Sequence, residues 1–165
     1  MSPTSVRLEL AAIEGVHLAH LLDEFQDMLT ADASEGIGDP AIARLTPDPY
    51  PEDAEASRAF STAARDDLLD RRIAEAAVVR AALSGFDETH DVLDEQESLA
   101  ARPILIPTAE VDAWLRTLTA LRLVLATRLG IIDEDSMDEE DPRRGVYDWL
   151  GYRLEGLIQS ADALG

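Results

Sequence analysis

The chain has no cysteine, no lysine and no asparagine, and only two Trp, three Tyr and three Phe in 165 residues. Without a thiol there is no cysteine nucleophile, no disulfide and no sulfur-rich metal site. Without lysine, fourteen arginines stand against 34 Asp and Glu, for a formal net charge of −20 at pH 7. Nucleic-acid affinity comes largely from cations that displace counterions from phosphates, so a surface of this sign repels a duplex. No run of about eighteen apolar residues occurs, which argues against a membrane-spanning helix. Met1 to Val6 has no basic flank followed by an apolar run, so no signal peptide is read there and a cytoplasmic protein is expected. The joint absence of lysine, asparagine and cysteine fits a GC-rich coding bias. The acidity survives that discount.

What is present is helical in character. Apolar residues make up 46% of the chain, dominated by Ala and Leu, at a length that suits one domain over residues 1–165. Four long helical patterns stand out. The first runs from about Leu10 to Thr30, with Leu18, Leu21, Phe25 and Met28 at helical spacing. The second spans about Asp53 to Leu83, with a candidate break near Ser61. The third starts at Thr108 as N-cap and ends at Gly130, and the fourth runs from Asp141-Pro142 to about Leu164. Asp39-Pro40 opens a short helix to Leu45, and the prolines of Thr46 to Pro51 enforce extended chain after it. Val6, Leu8 and Leu10 alternate with polar residues, as do Ile104 and Ile106, so the two segments are candidates for a two-stranded ribbon. An acidic linker at about 84–102 and an acidic loop at about 133–141 separate the patterns. The expected fold is all-α: a bundle of four main helices with a short extra helix and a minor β ribbon.

Several polar residues fall inside apolar stripes. On the third helix Arg122 lies among Val111, Trp114, Leu115, Leu118, Leu121, Leu125 and Leu129. Glu14 and His17 sit between Leu10 and Leu21 on the first. Asp66 and Arg80 share the face of Leu69, Ile73 and Ala77 on the second. An unpaired buried arginine costs several kcal/mol, so Arg122 is expected to pair with Asp66 or Glu14. Glu14, His17, Asp66 and Arg122 are therefore the expected buried polar network, read first as a structural device that sets helix register. On the fourth helix, Val146, Leu150, Leu154, Leu157 and Ala161 form the inward stripe. Trp149 falls at its edge and Tyr152 opposite, which makes both candidate interface residues.

Catalytic patterns are thin. Glu14 and His17 have the Glu-x-x-His spacing of carboxylate-bridged di-iron bundles, but such sites need a second copy and two further Glu, and His20 and His90 supply none. A single zinc on His17, His20 and Glu24 is a weaker variant. Asp133 to Asp141 resembles a calcium loop in charge only: Asp138 stands where an EF-hand needs glycine, and no Glu closes the loop. Phosphate-binding glycine loops, nucleophile elbows and triad spacings do not occur. No catalytic residue, metal site or cofactor is assigned.

From about Leu8 to Ile158 the chain resembles an actinobacterial family catalogued as domain of unknown function 2017 and labelled oxidative-stress-responsive regulators (AosR-like). The resemblance rests on Asp39-Pro-Ala-Ile-Ala-Arg-Leu-Thr-Pro-Asp-Pro-Tyr-Pro51, on Trp114-Leu-Arg116 with Leu121-Arg-Leu-Val-Leu-Ala-Thr-Arg-Leu-Gly130, and on Tyr147-Asp-Trp-Leu150. Three features depart from the pattern: Ala64 where a Thr cap is expected, Ala126 where glycine is expected, and no thiol for oxidant sensing. Any sensing would then lie in a partner, or in sulfoxidation of Met28 and Met137.

The resemblance implies a regulatory protein acting on transcription through a sigma factor or another polymerase component. The charge agrees with an indirect route, since an acidic protein binds a basic protein surface with fast, salt-sensitive association. Arg71-Arg72 and Arg143-Arg144 are too small to reverse the global field toward DNA. The leading expectation is a non-enzymatic, protein-binding regulator, with homodimerisation through the fourth helix an open possibility. The alternatives are an adaptor or scaffold in proteolysis or sulfur metabolism, and a metal-dependent helical-bundle enzyme built on Glu14 and His17.

Overall fold

Alternating apolar residues near the N-terminus and just past the middle of the chain pair as a ribbon. In the computed structural model, which describes residues 4–35, 39–46, 52–87, 94–130 and 140–164, β1 (Ser5–Ala11) runs antiparallel to β2 (Ala101–Pro107). Val6 pairs with Ile106 and Leu8 with Ile104. Val6, Leu10, Ile104 and Ile106 point into the core, while Arg7, Glu9 and Leu105 face water. Helices cover the inner face of this two-stranded element, which removes its marginal stability as an isolated hairpin.

Helices follow in the order α1 (Ala12–Glu35), α2 (Pro40–Leu45), α3 (Ala54–Ala82), α4 (Glu95–Leu99), α5 (Val111–Leu129) and α6 (Pro142–Asp162). The four long ones pack in sequence, α1 on α3, α3 on α5 and α5 on α6, with α2 laid against α5. Their inner stripes share one hydrophobic cluster, with Trp114, Leu22, Leu69, Leu150 and Ile106 fully buried. The expected all-α bundle with a short extra helix and a minor ribbon is therefore the observed architecture.

Local signals set most helix ends. The Asp39, Asp53 and Asp141 side chains each accept from backbone N–H groups of the first turn, and Pro40 and Pro142 follow two of them. Gly130 closes α5 with φ of 68°, the left-handed conformation that a Cβ disfavours.

Other boundaries differ from expectation. α1 extends to Glu35 and α3 is continuous through Ser61. Thr108 does not cap α5: its N–H donates to the Thr4 carbonyl at 3.0 Å, prolonging the ribbon, and Thr108–Glu110 form a 3-10 turn before the helix. The segment 84–102 is more than a linker. It holds a 3-10 turn at Ser84–Phe86, then α4 with an Asp94–Glu97 capping box, then the start of β2. Residues 47–51, 88–93 and 131–139, which include His90, Met137 and most of the acidic loop, lie outside the described residues.

Candidate functional site

Glu14 is the third residue of α1, and its carboxylate reaches back to accept from the Ala11 N–H at 3.0 Å, half of a capping box. Its two oxygens also accept from Arg153 Nη2 at 2.9 and 2.7 Å and from the Trp149 indole N–H. Trp149 and Arg153 are one turn apart on α6, so a single carboxylate ties that helix to the start of α1. Arg153 also donates to the Glu9 carbonyl at 3.1 Å, adding the end of β1 to the same junction. Burial alone would raise the Glu14 pKa; the bonds from Arg153, Ala11 and Trp149 outweigh it and hold the group below the ordinary carboxylate range.

The expected network is thereby corrected. Glu14 does find an arginine across a helix interface, but that arginine is Arg153 rather than Arg122. Arg122 stacks over the Tyr147 ring, 4.3 Å from its centroid, beside the bare Cα of Gly151. Asp66 is exposed, because the buried face of α3 runs through Leu69, Ala76, Val79 and Leu83. Ala74, Ala76, Ala77, Ala81 and Ala82 give that helix little apolar contrast, so its phase is displaced from Ala77 to Ala76. Arg65 takes the inward position and binds the buried Asp32 at 2.6 Å. His17 is exposed at the rim of a groove, one position round the helix from buried Leu18.

That groove is the most distinctive surface of the bundle. Ile13, His17 and Leu21 recur every four residues on α1 and face Val146 and Trp149 of α6 across a hollow of about 270 Å³. Leu21 also lines a second hollow of about 370 Å³, where Phe25 and Met28 meet Val124 and Leu125 of α5 beside the charged Glu24 and Arg128. From Ile13 to Met28 the wall is about 22 Å long at the α-helical rise. The Glu14 bond fixes the Trp149 ring as one side of the groove. Tyr152 is 72% exposed on the far side of α6, its ring near Arg153.

Polar groups beside the groove are engaged with protein partners. The Glu14 oxygens are committed to three donors, and His20 pairs with Glu24 at 3.2 Å on the outer face of α1. Among the described residues no three His, Asp or Glu side chains converge as a metal site, and no described helix is long and apolar enough to cross a membrane.

Sequence reasoning found Glu14 and Trp149 but not Arg153. The signal available was its position four residues after Trp149, on the same side of α6. A family model described as domain of unknown function (DUF2017) matches residues 1–161. The chain belongs to the DUF2017 family. The match covers β1, the groove and the Glu14–Trp149–Arg153 junction, so all three are parts of the DUF2017 domain. No curated protein and no solved structure matches the chain.

Proposed function

We propose that this DUF2017 protein is a non-enzymatic regulator that acts by binding another protein, and that the groove along α1 is the contact surface. The occupant is an amphipathic helix of a basic partner, laid with its apolar face on Ile13, Leu21, Val146 and Trp149. The observation that carries this reading is a half-exposed apolar groove, one helix long, on a chain of net charge −20. Charge complementarity selects a cationic partner and speeds its encounter. A sigma factor or another polymerase component in a stress response, in the cytoplasm, is the partner that the resemblance of Asp39–Pro51 and Leu121–Gly130 favours.

The test is direct titration of the purified protein with sigma factors and core polymerase, following Trp fluorescence, beside capture from an actinobacterial extract at low and moderate salt. Binding of a sigma factor or polymerase subunit that weakens with salt, and by about tenfold or more in Leu21→Glu, is the expected result. Absence of binding to every polymerase component overturns the transcriptional reading. Recovery of protease or sulfur-metabolism components in its place selects an adaptor. A concentration-dependent dimer that Leu21→Glu abolishes would show that a second copy occupies the groove instead.

A further inference from the structure

Arginine is scarce on this chain relative to carboxylate, and most of the described arginines are engaged. Arg7, Arg65, Arg80, Arg116, Arg128, Arg143, Arg144 and Arg153 each lie in an ion pair. Among the described residues Arg71 and Arg72 have no hydrogen-bond or ion-pair partner. Both line one cleft.

The cleft lies between α3 and α5, away from the groove, and encloses about 460 Å³. Leu68, Arg71, Arg72 and Glu75 occupy the i, i+3, i+4 and i+7 positions of α3, a single helical face. Arg116 closes the opposite side from α5, held by Glu75 at 2.9 Å, with Leu115 as an apolar wall. Glu75 is the one carboxylate in the lining, and its oxygen is taken by Arg116. Arg72 is half-buried, and its Nε is shielded from water with no acceptor. Burial pushes this guanidinium below its ordinary pKa, Arg116 acts in the same direction, and Glu75 opposes them.

A partly desolvated guanidinium whose Nε has no acceptor and whose nearby carboxylate, Glu75, is bonded to Arg116 is unfavourable in the free protein, and an anion placed beside it lowers that penalty. Guanidinium groups present forked donors that suit phosphate oxygens bidentately. The global charge does not decide the matter. A small anion inside the cleft lies within about 10 Å of three guanidiniums, the screening length at about 0.1 M salt, while more distant carboxylates are attenuated. A duplex has to approach the whole acidic surface; a small ligand does not. The volume suits a small molecule, and Leu68 and Leu115 offer contact to its organic part.

We infer that the α3–α5 cleft is a binding site for a phosphate-bearing small molecule, with Arg72 and Arg71 donating hydrogen bonds to the phosphate oxygens and Arg116, braced by Glu75, completing the site. This site is independent of the groove and of the partner proposed for it.

Titration calorimetry and thermal unfolding of the full chain with inorganic phosphate, pyrophosphate and ADP test the inference. Pyrophosphate and ADP are expected to bind and to raise the unfolding midpoint, and Arg72→Gln and Arg71→Gln each to weaken them by about tenfold or more. Arg71 is exposed, so its variant tests the site even where Arg72→Gln perturbs folding. Arg143→Gln, outside the cleft, is expected to leave binding unchanged. Tighter binding of ADP than of pyrophosphate assigns contacts to the organic part; equal binding assigns recognition to phosphate alone. No binding of any of the three probes at millimolar concentration, or equal binding by the native chain and both cleft variants, overturns the inference. Preference for an acidic peptide over all three probes overturns it as well.

Discussion

The ring of Phe86 occupies the space directly over the bare Cα of Gly15. A Cβ at position 15 would lie 2.3–2.4 Å from three ring carbons, so α1 and the 3-10 turn at Ser84–Phe86 approach this closely only because position 15 has no side chain. A Gly-to-Ala change inside a helix ordinarily stabilises by about 0.4–1 kcal/mol through the unfolded chain. Here overpacking reverses the sign. Gly15→Ala is expected to lower stability by about 1–3 kcal/mol. Gly156→Ala on α6, where a Cβ meets nothing within 4 Å, is expected to raise it. Denaturant midpoints of the two variants, measured side by side, check both signs.

Glu14 makes the fold sensitive to acid. Its folded pKa lies below the unfolded value of about 4.3. The stability it supplies is therefore complete above the unfolded value and is lost as pH falls through the folded one. Glu14→Gln is expected to be less stable than the native chain at pH 7 by about 1.5–3 kcal/mol, the range for hydrogen bonds to a charged group. The gap should narrow as the pH falls below about 4. Urea unfolding of both proteins across that interval gives the answer. A gap that does not change with pH would remove Glu14 as the titrating group.

Asp39 has two separable roles. Its carboxylate caps α2 through the Ala41 N–H at 2.9 Å and pairs with Arg128 of α5 at 2.7 Å. Asp39→Asn retains a capping oxygen and loses the charge; Asp39→Ala loses both. The alanine variant is expected to be the less stable of the two by about 1 kcal/mol, because both lose the ion pair and only alanine also loses the cap. Thermal unfolding of the two variants measures the difference.

Arg122 tests how a half-buried cation without a carboxylate is tolerated. Its stack on Tyr147 contributes about 0.5–2 kcal/mol, while its shielded Nε has no acceptor. Arg122→Leu exchanges one for the other and should stay within about 1 kcal/mol of the native chain. Tyr147→Phe keeps the stack and is expected to be neutral, whereas Tyr147→Ala should be destabilising. A large loss in Arg122→Leu with none in Tyr147→Ala would mean that the stack is not what holds Arg122.

Groove and junction were only partly readable in advance. Glu14 and Trp149 are conspicuous in the sequence because a charged or aromatic residue interrupts or edges an apolar stripe. Arg153 carries no such mark, being one of three arginines on α6, and only the crossing of α6 over the start of α1 brings it to Glu14. Asp32 was hidden for a different reason. It lies in a stretch of Ala, Ser, Glu and Gly that reads as loop, whereas α1 continues to Glu35 and buries it against Arg65.

Local chemistry in the sequence determined where α2 and α6 begin and α5 ends, which segments alternate as strands, and the net acidity of the chain. Caps, proline, the Gly130 turn and a period of two act within a few residues of one another, so they are legible without knowing the fold. Tertiary structure alone decided that Glu14 meets Arg153, that Phe86 lies over Gly15, and that Arg71 and Arg72 share a cleft with Arg116. Those pairings depend on helix phase and crossing, and an Ala- and Leu-rich stripe is broad enough to permit several of each. Side-chain packing across the interfaces selects one.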